Sequence, residues 1–481
     1  MNLNRDKPLV LRDEIHGDLI FDGVMRAVID HEDFQRLRRI KQLGLAEYVF
    51  PCANHTRFQH SLGAAFLAGQ YFDSMVNSWL TTPFLYEGSS GGTSFYASRT
   101  LECVRSVMKD PKSAEYWRRI VSLAGLLHDV GHGPWSHTFE HLELRQNFSE
   151  SLAGLPPTIV KHFEMLRSEK RRIHHEELSL LYSHRILRSV GEQGLLGNWE
   201  HYFLPVAMLI HRKMSTGPLK VSLENEVTQL LEKAGLKGGV DFHRLLRPLV
   251  SGPFDVDRID YIQRDGRNCG VHIAGIEWRR IVSKLMPCLA DHTPQGDEPR
   301  EVVLISNIKN QHVIDDFLFT LLQMYAQVYL HPKIVGLEEV IKSVLAANAD
   351  RLQSFEVTLD EHASLSDEKF RDVLEQKYQI SEITKVLNRH PGIRFDVARF
   401  PVGKEVEEAL TKEGYQSVPH LDRPFLKDSV GVFLYSGLDE DTASRYFVRP
   451  WSEISPVAAQ FASFNYSPHI WIRMPASEAI S

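Results

Sequence analysis

Residues 126–137 read Leu-Leu-His-Asp-Val-Gly-His-Gly-Pro-Trp-Ser-His, with three imidazoles and one carboxylate inside ten residues at the end of an apolar run. Apolar residues recur at helical spacing from about Ala114 to Leu127, and Gly131 and Gly133-Pro134 end the repeat. A chain that buries this helix carries His128 and Asp129 inward, where neither side chain is stable unless paired or bound to a cation. Whatever the fold, it must bring compensating groups to this point. A divalent metal is the economical solution.

One His-Asp pair supplies only two ligands, and the chain offers more. Upstream, Arg57-Phe58-Gln59-His60-Ser61-Leu62-Gly63 sets His60 at the opening of a helix. Downstream, residues 255–265 hold Asp255, Asp257, Asp260 and Asp265. On a helix, Asp257, Asp260 and Tyr261 share one face, interleaved with apolar Val256, Ile259 and Ile262. Such an acidic stripe is costly inside without a cation or basic partners. A set of His60, His128, Asp129 and Asp257 is two imidazoles and two carboxylates, which suits Fe, Mn, Ni or Zn better than Mg. Four protein ligands on an octahedral ion leave room for a water and a substrate oxygen, and the ion would acidify the one and polarise the other.

Composition bounds the rest. A chain of 481 residues buries a large core in two or three lobes, and 43% hydrophobic with 24% charged residues is ordinary for a globular protein. The net charge of −7 disfavours a surface that coats nucleic acid but allows a locally basic pocket. The four cysteines form no Cys-x-x-Cys pair, the first residues have no apolar signal core, and no run of eighteen apolar residues occurs. These features predict a cytoplasmic protein without a membrane span, or a nuclear one if the source is eukaryotic.

The expected fold is mainly α, a helical core with a small C-terminal α+β lobe. Helical spacing covers Val24–Ile29, Phe34–Leu43, Leu62–Tyr71, Glu176–Ile210 and about 310–329, while Gly88–Gly92 reads as a flexible loop or insertion and 145–173 as a second insertion or an irregular helix-loop. Glu301–Ile305 is the first convincing strand. Ser366 is a candidate N-cap, and Val430–Tyr435, Arg445–Val448 and His469–Ile472 read as strands around a helix at Pro456–Phe464. The expected division is 1–290 for the catalytic core, 291–424 for a helical extension and 425–481 for the small lobe. The basic run Arg36–Lys41 reads as an ordinary helix face.

At these residues the chain resembles the HD-domain metal phosphohydrolases. More narrowly, Phe34–Gly44, Tyr48–Pro51, Arg57–Gly63, His128–Pro134, Asp257–Tyr261, Arg264-Asp265 and Val328–His331 resemble the deoxynucleoside triphosphate (dNTP) triphosphohydrolases. The sterile-alpha-motif domain of the animal members is expected to be absent, because the catalytic pattern begins within the first twenty residues. The resemblance implies a helical HD core and release of deoxynucleoside and inorganic triphosphate. It implies that His132 and His137 contact the triphosphate, that His137 and His175 position or protonate at the α-phosphorus, and that Glu140 supports them. Arg57 and Arg258 would neutralise phosphate charge. Gln42 and Asp265 would hold the sugar 3′-hydroxyl, and Leu43, Tyr261 and Tyr329 would wall off the 2′ position. Without the resemblance those tyrosines read as core aromatics, and His141, His174, His312 and His331 as structural.

The resemblance further implies one divalent metal, with an additional Mg accompanying the triphosphate, and a homodimer or tetramer with weak single-stranded nucleic-acid binding. Asp30 and Arg38 match an allosteric pair for an activating GTP or dNTP, but the lysine expected near Leu9 or Val10 is missing. Leu321 replaces an arginine that contacts the γ-phosphate in the family pattern. Two other readings stay open: an HD phosphohydrolase of a monophosphate, cyclic nucleotide or alarmone, and a non-catalytic nucleotide- or nucleic-acid-binding protein.

Overall fold

In the computed structural model, which describes residues 7–81, 84, 86–140, 142, 144–272, 276–291, 301–388 and short segments between 396 and 473, the apolar run before His128 is the helix Pro111–Leu127. Asp110 caps it by accepting from the Ser113 amide, Pro111 opens its first turn, and Trp117, Ile120, Val121, Leu123 and Leu127 are buried. It packs along the 25-residue helix Arg57–Thr81. Gly125 permits their close approach, since a Cβ there would stand 2.8 Å from the Ala64 carbonyl oxygen. The C-terminal end of one helix thus lies beside the N-terminal end of the other. That arrangement places His128 next to His60.

The helix Val256–Asn268, capped by Asp255, packs on the same long helix. The helix His175–Glu192 closes the other side of the His128 loop through a hydrogen-bonded bridge: the Ser179 hydroxyl donates to the His128 carbonyl (2.7 Å) and accepts from the Gly131 amide (2.9 Å). Glu200–Ile210 completes this helical layer. The core is thus mainly helical. Among the described residues no helix is long and apolar enough to cross a membrane.

One six-stranded sheet flanks the helices, in the order Tyr446–Pro450, Val432–Gly437, Glu301–Asn307, Met286–Asp291, Thr93–Tyr96, Glu87–Ser90. All its pairings are antiparallel except Val432–Gly437 with Glu301–Asn307. Gly88–Gly92 is therefore not a flexible loop. Gly91 (φ 55°) and Gly92 (φ 77°) form the two-residue turn of a hairpin, the conformation in which glycine is favoured because both φ values are positive. Among the described residues four strands precede Glu301 besides that hairpin: Leu9–Asp13 and Gly17–Phe21 pair with each other, the short Arg145–Gln146 pairs with Glu356–Val357, and Met286–Asp291 is buried throughout. The 145–173 segment contains the helix Pro157–Ser168. Ser366 does accept from the Lys369 amide (3.1 Å).

The C-terminal strands are described as Val432–Gly437, Tyr446–Pro450 and Ile470–Arg473, with a helix Pro456–Ser463. Val430, Gly431, Arg445 and His469 of the expected strands lie outside the described residues, as does His141.

Candidate metal centre and the residues around it

His60 sits in the first turn of its helix, His128 caps the end of Pro111–Leu127, and Asp257 opens Val256–Asn268. His60 Nε2 lies 3.2 Å from His128 Nε2, 3.0 Å from Asp257 Oδ1 and 3.4 Å from Asp129 Oδ2. His128 Nε2 is 3.4 Å from both Asp129 Oδ1 and Asp257 Oδ1. Adjacent ligands of a six-coordinate ion stand roughly 3 Å apart, so this spacing fits one.

The tautomers fit as well. His60 Nδ1 faces Asp260 Oδ2 at 2.9 Å and His128 Nδ1 faces the Gly125 carbonyl at 2.9 Å. Those acceptors hold the protons on Nδ1, so two Nε2 lone pairs point at each other and call for a cation between them. Burial would lower the His60 pKa, but in the metal-free protein hydrogen bonding to Asp257 and Asp260 raises it to about 10, so a cation would bind Nε2 by displacing its proton. Burial would likewise raise Asp257, but His128 and His60 draw it well below the usual carboxylate range.

Asp260 is the hub behind this set. It faces His16 Nε2 at 2.7 Å and accepts from Arg264 Nε and Nη2, both at 2.9 Å. Arg264 donates in turn to Asp13 (2.8 Å). The arrangement requires Gly63, because a Cβ there would stand 1.9 Å from Asp260 Oδ1. Arg264 was legible as the i+4 partner of Asp260 on one helix. Asp13 and His16 had no sequence signal, since they come from a hairpin nearly 250 positions away.

Arg57 donates to Asp129, to Ser136 Oγ (3.1 Å) and to the Gln42 carbonyl (3.2 Å). Arg36 is 2% exposed and donates to the backbone carbonyls of His132 (2.8 Å) and Val130, bracing the loop that carries the metal set. The run Arg36–Lys41 is thus not one uniform basic face: Arg38 and Arg39 are exposed, while Arg36 turns inward. Beyond Gly133 the chain passes through Trp135 (φ 55°) and Ser136 (φ 52°), a left-handed conformation that ordinary residues avoid. Asp367 holds it by accepting from the Trp135 amide (2.7 Å) and the Lys41 amide (2.8 Å).

A second imidazole group adjoins the first. The rings of His132 and His175 stack with centroids 3.8 Å apart, and His132 Nε2 is 3.5 Å from Asp129. Glu140 lies between them: His175 Nδ1 is 2.6 Å from its Oε1, and His132, His137 and His174 reach its carboxylate at 3.5, 3.6 and 3.6 Å. His174, read from the sequence as structural, therefore faces Glu140 too. Burial would lower the His175 pKa, but the Glu140 carboxylate raises it to about 9. Burial and the nearby Arg57 hold His132 well below its ordinary value. The two stacked rings are thus poised oppositely, one protonated and one neutral. The His137 side chain is 58% exposed.

The sugar-side residues form a chain leading away from Asp129. Gln42 accepts from Arg57 through its carbonyl and donates its amide to the His55 carbonyl (3.0 Å). Its buried Oε1 has no hydrogen-bond partner. His55 Nε2 is 2.7 Å from Asp265 Oδ1, and the Tyr329 hydroxyl donates to Asp265 Oδ2 (2.9 Å). Tyr261 meets Tyr329 edge-on at 5.7 Å. Tyr325–Tyr329 is a π-helical turn, a local widening that recurs at functional sites. Leu43 is half-buried, and Arg258, half-buried beside Asp257, makes no side-chain hydrogen bond among the described residues.

Asp30 and Arg38 are not joined by a hydrogen bond or ion pair. Asp30 pairs with Arg26 (3.5 Å), while Arg38 lies over the Phe58 ring (3.6 Å) and bonds Gln35. Leu321 is buried in the core. His331 caps the helix Pro332–Ala347, and His312 is exposed.

No protein-family model matches the chain. It is 27% identical over 294 residues to the deoxynucleoside triphosphate triphosphohydrolase SAMHD1 of Bos taurus, covering 61% of this chain and 41% of that protein. It is 32% identical over 177 residues to the SAMHD1 homolog of Dictyostelium discoideum, 37% of this chain and 25% of that one. The matches therefore span less than half the length of these relatives. A crystal structure of a phosphohydrolase from Bacteroides thetaiotaomicron shares the fold, with a TM-score of 0.59, 21% identity, and coverage of 97% of this chain and 99% of that one.

Proposed function

We propose that this chain, a relative of the HD-domain deoxynucleoside triphosphate triphosphohydrolases, cleaves dNTPs to a deoxynucleoside and inorganic triphosphate. One observation carries the reading: the convergent His60, His128, Asp129 and Asp257 donors lie directly against the His132–His175–Glu140 group. A divalent cation held by the first group would supply Lewis-acid activation of water and of a phosphoryl oxygen. The donor set favours Fe, Mn, Ni or Zn over Mg at that position, with Mg accompanying the triphosphate.

The chain's own residues then have distinct tasks. A water oxygen bonds to the α-phosphorus while the bond from phosphorus to the nucleoside 5′-oxygen breaks. His175, protonated at neutral pH through Glu140, supplies the proton that the departing 5′-oxygen needs. Neutral His132 donates one hydrogen bond to the phosphates, and exposed His137 and unpaired Arg258 add charge or donors to them. Arg57 orients Asp129. The orphaned Gln42 Oε1 and the Asp265 carboxylate suit the 3′-hydroxyl, and Leu43, Tyr261 and Tyr329 occupy the space a 2′-hydroxyl would need. An activating nucleotide at Asp30 and Arg38, homo-oligomer assembly, a small C-terminal α+β lobe and weak single-stranded nucleic-acid binding belong to the same reading.

Glu140→Gln tests the proton assignment. Because the folded His175 pKa is raised, its pairing stabilises the protein fully below the ordinary value of 6.5 and is lost as pH rises through about 9. In the variant the alkaline limb of the kcat profile moves to lower pH by at least about one unit. An unchanged limb in the pH–rate profile rules out His175 as the donor. Tyr329→Ala opens the sugar wall, and turnover of ribonucleotides relative to dNTPs rises at least roughly 10-fold in a competition assay. The product decides substrate class: triphosphate released from a dNTP supports the reading, whereas orthophosphate or pyrophosphate alone favours another HD phosphohydrolase chemistry.

A further inference from the structure

The 145–173 segment has no part in the chemistry above, yet it carries a buried histidine to the catalytic helix. His162, on the helix Pro157–Ser168, meets Glu177, two residues beyond His175, and His211, at the junction of Glu200–Ile210 and Arg212–Thr216. Glu177 Oε1 is 3.1 Å from His211 Nε2 and 3.6 Å from His162 Nε2. The three residues are 7%, 0% and 1% exposed for His162, Glu177 and His211. His162 Nε2 is buried, aimed at the carboxylate, and has no hydrogen-bond partner.

We infer that His162, Glu177 and His211 form a second divalent-metal site, of the zinc class, that fastens the 145–173 segment to the helix bearing His175. Two ligands of a tetrahedral zinc at its usual bond lengths stand roughly 3.4 Å apart, and the observed 3.1 and 3.6 Å bracket that value. Two imidazoles and one carboxylate are a borderline donor set that selects Zn or its transition-metal neighbours over Mg or Ca. Glu177 Oε2 is oriented by the His174 amide (3.0 Å), so Oε1 is the oxygen that faces both imidazoles.

The remaining approach is taken by Lys213, whose ammonium is 3.6 Å from Glu177 Oε1 with its side chain 41% exposed. Lys213 is a competitor for the carboxylate. Its long stem lets it withdraw into water when a metal binds, leaving the fourth position to a water molecule.

The test is metal stoichiometry on the full chain, stripped with chelator and reloaded with Zn(II) or Co(II). Two equivalents per chain are expected, with one lost in His162→Gln/His211→Gln and a different one lost in His128→Ala/Asp129→Ala. The tetrahedral Co(II) absorption disappears only in the first of these variants. Lys213→Met, which removes the competing ammonium and leaves all three ligands in place, tightens the second equivalent at least roughly 10-fold. One equivalent in the wild-type chain that is retained in His162→Gln/His211→Gln overturns the site, as does an unaltered count and spectrum in a folded His162→Gln/His211→Gln protein or an unaffected affinity in Lys213→Met. Failure to hydrolyse dNTPs leaves these counts untouched, so the two readings fall separately.

Discussion

Replacing His128 and Asp129 together by alanine is expected to abolish dNTP hydrolysis and to remove one bound metal, while the protein stays folded. Both side chains serve the metal set, and the helix that delivers them is held by its own apolar face and by Asp110 at its start. Losing the cation removes several kcal/mol of charge stabilisation from phosphoryl transfer, a rate loss of roughly 10³-fold or more. Removal also frees Arg57 from its carboxylate partner and takes two neighbours away from His60. Single-turnover assays, metal analysis and circular dichroism on the purified variant check the three parts. Wild-type turnover in a variant shown to hold no metal would defeat the assignment of the centre.

Gly131→Ala is expected to be nearly as damaging, by a different route. A Cβ at this position would lie 2.1 Å from the His175 carbonyl oxygen and 2.3 Å from the Ser179 amide nitrogen. Both are backbone atoms of a packed helix, so no side chain can rotate away. The helix His175–Glu192 must move off the loop, which breaks the Ser179 bridge to Gly131 and His128 and separates the stacked His132 and His175 rings. Overpacking of this kind plus the loss of buried hydrogen bonds costs at least about 3 kcal/mol, and kcat falls at least 100-fold because the proton donor leaves its place. Chemical denaturation and steady-state kinetics measure the two effects. A variant with wild-type stability and rate would show that the helix does not need this approach.

Much of the site was legible because its chemistry is local. His128 and Asp129 are adjacent, His60 opens a recognisable helix, and Asp257 shares a helical face with Asp260. Gly63 and Gly131 sit inside the same motifs, and their close approaches explain why those positions carry no side chain. Arg36 was hidden for the opposite reason: in a run of four basic residues, nothing in the spacing says which one turns inward. Gly91-Gly92 read as looseness, yet a tight hairpin demands the same two residues.

The amino-acid order alone determined which groups would need a cation and which helices would carry them, because helical periodicity and buried charge are properties of neighbouring residues. Only the tertiary structure decided what stands behind and around those groups. His16 reaches Asp260 and Asp13 reaches Arg264 from an N-terminal hairpin, Glu140 sets the proton on His175 from the short helix His137–Glu140, and His162 meets Glu177 and His211 across separate helices. These contacts join residues tens to hundreds of positions apart, where no short-range pattern operates and packing alone fixes the distance.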